Sequence, residues 1–149
     1  MGSYKKLNHS ICECKYHLVW IPKYRFKVME GRIRYYVRDK LRQLCEWKKF
    51  EILQGNVQQE HIHLLLWIPP TWAVCSAIGY LKGKSALGIF EKFPDLKKRY
   101  WNKKYWSPGY CVSTVGLNEE QIREYVKWQQ KRDREMEANG QLNLFDSKK

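Results

Sequence analysis

The chain has 149 residues, 44% hydrophobic and 15% aromatic: enough for one domain with a real core, too few for two of ordinary size. Lysine and arginine number 28 against 15 acidic residues, a net charge of +13, so an anionic polymer is the partner to expect, nucleic acid ahead of a membrane surface. Five scattered cysteines without a CxxC pair argue against a disulfide framework or a structural zinc site, and no apolar run reaches the roughly 18 residues of a membrane span, so a cytoplasmic protein in a reducing compartment is expected.

Residues 1–10 are polar and basic and read as a loose arm. From Cys14 to Ile21 the chain is rich in β-formers and stops at Pro22, which predicts a first strand. Ile33, Tyr36, Val37, Leu41, Leu44 and Cys45 then recur at helical spacing and predict an amphipathic helix over 31–48. Phe50 to Gln58 reads as a second strand. It turns through Gln59-Glu60 into a third, residues 61–67, which Pro69-Pro70 ends. A second helix is expected over 73–92, although Gly79, Gly83 and Gly88 weaken it unless something approaches its backbone closely.

Residues 94–108 interleave lysine and arginine with Tyr100, Trp101, Tyr105 and Trp106. Cations beside aromatic platforms suit a single-strand binder, and a loop whose aromatics plug the core has the same look. Gly109 to Gly116 gives a fourth strand. Asn118 as N-cap, Gln121 three residues later and Leu117 opposite Ile122 then announce a last helix, expected to end near residue 136 before Asn139-Gly140. The first six elements follow the order β-α-β-β-α-β. This is an α+β, ferredoxin-like (RRM-like) pattern: an antiparallel sheet with helices on one face, plus the C-terminal helix.

The chemistry concentrates on two elements. On a strand, His61 and His63 share a face, so two imidazoles on a rigid central strand form half a metal site, or simply a polar pair. On the last helix Tyr125 and Gln129 are four residues apart and share a face. Two imidazoles and one amide oxygen would leave open positions suited to Mg²⁺ or Mn²⁺ acting on a phosphodiester, with Tyr125 as nucleophile. Read alone, a tyrosine such as Tyr125 on an amphipathic helix is more often a core residue than a nucleophile.

His61-Ile62-His63 resembles the HUH motif of single-tyrosine transposases, the transposase A proteins of the two-hundred/six-hundred-and-five insertion-sequence group. The likeness extends to Tyr16-His17-Leu18-Val19-Trp20 with Pro22-Lys23-Tyr24-Arg25, to Leu81-Lys82-Gly83-Lys84-Ser85, and to Tyr105-Trp106-Ser107-Pro108-Gly109-Tyr110. Ser113-Thr114-Val115-Gly116 and the Tyr125-x-x-x-Gln129 pair complete it, over about residues 12–131. One departure is Glu60, where the family usually has Asp.

The resemblance implies a metal held by His61, His63 and Gln129, with Tyr125 as nucleophile. It further implies cleavage and rejoining of single-stranded DNA through a 5′-phosphotyrosine, recognition of subterminal hairpins, and a homodimer in which the tyrosine helix often completes the partner's site. Lys82, Lys84, Arg99, Lys103 and Lys104 are the candidate DNA contacts. A relative that processes repeated extragenic palindromes and a non-catalytic single-strand binding module are the alternatives.

The catalytic domain is expected over 1–136, followed by a flexible tail over 137–149. In that tail Gln141, Leu142, Leu144 and Phe145 resemble the QLxLF peptide that docks bacterial proteins on the DNA sliding clamp. A location at the nucleoid of a bacterium or archaeon follows from these expectations.

Overall fold

Two central strands buried on both faces, one of them alternating buried and half-buried side chains, decide the architecture. The computed structural model describes the backbone of residues 5–6, 11–23, 31–96 and 104–146, and the side chains of 13–23, 31–96 and 104–139. In chain order the elements are β1 (Lys5–Lys6), β2 (Ile11–Cys12), β3 (Lys15–Trp20), α1 (Gly31–Lys48), β4 (Glu51–Val57), β5 (Ile62–Trp67), α2 (Val74–Lys92), β6 (Cys111–Ser113) and α3 (Glu119–Asp146). β1 and β2 pair antiparallel, where the sequence alone predicts a loose arm.

The four-stranded sheet runs β4-β5-β3-β6, every neighbour antiparallel, so β3 and β5 form the central pair expected of the split βαβ order. Leu18 and Trp20 of β3 and Ile62, Leu64 and Leu66 of β5 point to one face. There they meet Val37, Leu41 and Leu44 of α1 and Ala77, Ile78, Leu81 and Ile89 of α2. Gly88 belongs to this contact: a Cβ there would lie 2.5 Å from the Tyr36 hydroxyl and 3.1 Å from Lys40 Cε, so the residue keeps α1 and α2 close. Gly79 and Gly83 face open space.

The opposite face carries a smaller cluster, Val19 and Ile21 against Ile122 and Val126 of α3. Its helix begins as its sequence announces. The Asn118 N–H donates to Gln121 Oε1 at 2.9 Å and the Gln121 N–H to Asn118 Oδ1 at 2.8 Å, a reciprocal capping box. Leu117 and Ile122 both join the cluster under this first turn.

One open alternative is decided and two expectations are corrected. Tyr105 and Trp106 are buried in the main core, 0% and 5% exposed, and are not base platforms. Backbone bonds from Lys23 N–H to Tyr105 O (2.8 Å) and from Ser107 N–H to Ile21 O (2.9 Å) lay that segment beside the end of β3. Tyr100 and Trp101 lie outside the described residues. β6 is shorter than residues 109–116, because the Ser113 hydroxyl folds back to bond both the N–H and the C=O of Val115. α3 runs through Asn139-Gly140 to Asp146, since one helical glycine costs only about 1 kcal/mol and does not by itself stop a helix.

Candidate active site

β5 alternates by strand geometry. With Ile62, Leu64 and Leu66 committed to the helix-covered core, His63 must emerge on the face where α3 docks. His61 closes the four-residue loop of the β4–β5 hairpin, where its carbonyl accepts the Gln58 N–H at 2.9 Å. Both histidines border a cleft of about 700 Å³ that also takes in Arg34, Asn56, Glu60, Ile122 and Arg123. Burial holds His61 below the ordinary histidine range, helped by His63 and opposed by the Glu60 carboxylate. Burial likewise lowers His63, with His17 adding to it. Both imidazoles are therefore biased toward the neutral form that a metal needs as ligand.

His17, part of the family-like opening strand but given no role by the sequence, is a neighbour of His63. On β3 it lies two positions from Val19, on the same face, and Val19 pairs with His63, so the His17 Nδ1 comes within 3.4 Å of His63 Nε2 and the rings stack at 5.7 Å. Strand alternation from Val19 and the diagonal pairing would have found it.

Tyr125 and Gln129 lie together on α3, as their spacing predicts, and the Tyr125 hydroxyl donates to Gln129 Oε1 at 3.4 Å. They sit on the β6 side of β3, beside Cys111 and the 107–109 loop, and neither borders the histidine cleft of the same chain. Burial drives the Tyr125 phenol well above its ordinary range, and Cys111 and Asp133 push the same way. Gln129 Nε2 reaches Ser107 Oγ (2.8 Å), Pro108 O (3.0 Å) and Asp133 Oδ1 (3.0 Å), and the Ser107 hydroxyl donates to Asp133 at 2.7 Å. Ser107 falls in one of the family-like stretches but has no role implied there, and Asp133 lies beyond the likeness. The signal was the i, i+4, i+8 stripe of Tyr125, Gln129 and Asp133 on one helical face.

Lys82 has a role other than the one its charge implies. Its ammonium donates to Ser107 O at 2.8 Å and Gly109 O at 2.7 Å, pinning the loop that holds Gln129, and burial brings its pKa down to about 8 against the pull of Asp133. In this chain it acts as a strut for that loop. Lys84 and Lys104 are exposed beside a shallow groove of about 530 Å³ floored by Gly79, Gly83 and Phe90. Arg99 and Lys103 lie outside the described residues, as do the side chains of Gln141, Leu142, Leu144 and Phe145, whose backbone is helical. No described helix is long and apolar enough to cross a membrane.

No group of three His, Cys, Asp or Glu side chains among the described residues is placed to hold a metal ion. The set expected from the sequence, two imidazoles and an amide oxygen, is not a group of that kind. Nitrogen and neutral oxygen donors with open positions suit Mn²⁺ or Mg²⁺ better than a closed tetrahedral zinc site.

The fold and site together define an α+β protein whose antiparallel sheet carries paired imidazoles on the face crossed by a tyrosine-bearing helix. Comparison places that class. Residues 10–129 match the family described as "Transposase IS200 like". The chain is 48% identical over 134 residues to the transposase for insertion sequence element IS200 of Salmonella typhimurium, covering 90% of this chain and 88% of that protein. It is 35% identical over 126 residues to the ISDra2 transposase TnpA of Deinococcus radiodurans, covering 84% and 90%. Its structure superposes on that of a candidate transposase from Deinococcus radiodurans with a TM-score of 0.78 at 33% identity, covering 84% and 97%. A REP-associated tyrosine transposase bound to a REP hairpin shares the fold alone, at TM-score 0.51 and 15% identity, covering 82% and 67%. The chain belongs to the IS200-like transposase family.

Proposed function

We propose that this transposase cuts and rejoins single-stranded DNA at insertion-sequence ends, with Tyr125 as nucleophile and His61, His63 and Gln129 as the ligands of a divalent metal, Mn²⁺ or Mg²⁺. The observation that carries the reading is the docking of α3, with Tyr125 and Gln129, across the sheet face that bears His61 and His63. The Tyr125 oxygen attacks the scissile phosphorus, the bond to the 3′-oxygen breaks, and that oxygen takes up a proton as a free 3′-OH. The 5′-phosphate remains on the tyrosine, and reversal with another 3′-OH rejoins the strand without an external energy source. The metal supplies Lewis-acid polarisation of the phosphate when bound.

The chain's own residues do the rest. Burial favours the protonated phenol of Tyr125 in this arrangement, so as its oxygen attacks, the proton must pass to an acceptor at the site and ultimately to the departing 3′-oxygen. Tyr125 borders its own polar network and not the histidine cleft, which supports a homodimer in which α3 of one copy serves the histidine strand of the other. Subterminal hairpins are the recognised substrate, with Lys84 and Lys104 contacting phosphates. The QLxLF-like stretch adds docking on the bacterial sliding clamp, and its deletion should abolish clamp pull-down while sparing cleavage.

A labelled single strand bearing the element's own hairpin, incubated with protein and Mn²⁺, should give a covalent adduct on a denaturing gel. Tyr125→Phe should give none, and neither should His61→Ala with His63→Ala. Mixing the two inactive proteins should restore the adduct if the site is shared between copies. An adduct formed by Tyr125→Phe alone refutes the mechanism.

A further inference from the structure

The buried polar chain behind Tyr125 has a direction, and Asp133 sets it. Gln129 is 3% exposed and Asp133 9%, so neither settles its hydrogen bonds with bulk water. A glutamine amide ends in an oxygen that only accepts and an NH2 that donates. Its neighbours decide which end points where. One end of Gln129 faces Ser107 Oγ at 2.8 Å, Pro108 O at 3.0 Å and Asp133 Oδ1 at 3.0 Å. The carbonyl and the carboxylate are acceptors. The Ser107 hydroxyl has one proton, committed to Asp133 at 2.7 Å, so toward Gln129 it accepts as well.

Three acceptors require the NH2 at that end and turn Oε1 the other way, where the Tyr125 hydroxyl meets it at 3.4 Å. Removing the carboxylate would change two of the three. An Asn at position 133 can offer its own NH2, and the released Ser107 proton can point at Gln129. Only Pro108 O would still demand a donor.

We propose that Asp133 is a positioning residue for the strand-transfer site, holding Gln129, directly and through Ser107, with its carbonyl oxygen presented beside Tyr125. This rests on the reading of Gln129 as a metal ligand. An amide NH2 cannot ligate a cation, so a reversed Gln129 removes one ligand and turns a donor toward the Tyr125 hydroxyl. Asp133 itself need touch neither metal nor DNA. Because Lys82 independently fastens the 107–109 loop to α2, Asp133→Asn changes polarity at nearly constant shape.

The test starts with metal-free wild-type protein. The Gln129 side-chain NH2 protons should show strong NMR cross-peaks to Ser107 Hβ and weak ones to Gly109 Hα and the Tyr125 ring, both of which lie toward Oε1. The opposite pattern overturns the proposal with no variant needed. In full-length Asp133→Asn those signals should move or broaden, and Mn²⁺ affinity by calorimetry without DNA should fall about tenfold or more, the usual effect of losing the partner that orients a ligand. Gln129→Ala separates the failures. If it binds Mn²⁺ like wild type, the ligand assignment fails and this proposal with it. If it binds weakly while Asp133→Asn binds like wild type, the role of Asp133 alone fails.

Discussion

Replacing Ile122 by alanine should loosen α3 from the sheet without melting the rest of the domain. Ile122 is 8% exposed and Val126 4%, and with Val19 and Ile21 they are the buried members of the cluster that seats this helix. The main core, on the other face, contains neither. Truncating a buried isoleucine to alanine costs about 2–5 kcal/mol in a well-packed core, and the small cluster argues for the lower end, about 2 kcal/mol. That cost should appear as local opening of α3, since β3 and β5 remain covered by α1 and α2. Native-state hydrogen exchange reads it directly: amides over residues 122–135 should exchange about 30-fold faster, while those of β3 and β5 stay as in wild type. Equal acceleration in both regions would show that the molecule opens as one unit. No acceleration would show that the Gln129–Ser107–Asp133 contacts alone hold the helix. Either result refutes the reasoning.

Other outcomes follow from single contacts. Asn118→Ala removes one half of the capping box and should cost about 1 kcal/mol in urea unfolding, with fraying confined to the first turn of α3. Lys82→Met should destabilise by about 2 kcal/mol, because two loop carbonyls lose a charged donor. It should leave the salt dependence of DNA binding unchanged, whereas Lys84→Ala should flatten that slope by about 0.7 if it contacts a single-strand phosphate. Burial, first, and then neighbouring imidazoles hold His61 and His63 below the ordinary histidine range. The unfolded chain thus binds more protons near pH 6. Metal-free stability should be full above the ordinary histidine pKa of about 6.5 and fall as pH drops through the lower folded-state values. Denaturation midpoints between pH 5 and 7.5 should lose this slope in the His61→Asn, His63→Asn double variant.

Local signals were the ones legible in the sequence. The capping box at Asn118 needs only four residues and one turn of helix, and it forms as written. The position of β5 at the sheet centre was readable because both its faces are apolar apart from the histidines, a property that a central strand requires. What escaped depends on which residues meet across the chain. Tyr105 and Trp106 have the same composition whether they stack bases or fill a core, and only their seat beside Ile21 and Lys23 decides. Lys82 looks like its neighbour Lys84 on a helix read alone, yet the 107–109 loop passes close enough to take its ammonium. His17 becomes relevant only once the register sets Val19 opposite His63. The Gly140 stop signal failed because its cost is small beside the rest of a 28-residue helix.

The most direct test of the central claim is to trap the covalent complex on the element's own hairpin-bearing strand, digest it, and locate the bonded residue by mass spectrometry. A single modified peptide carrying a 5′-phosphodeoxynucleotide on Tyr125 is expected, formed only with divalent metal and only with His61 and His63 intact. Modification at any other residue, or cleavage that releases a free 5′-phosphate with no protein adduct, would contradict it.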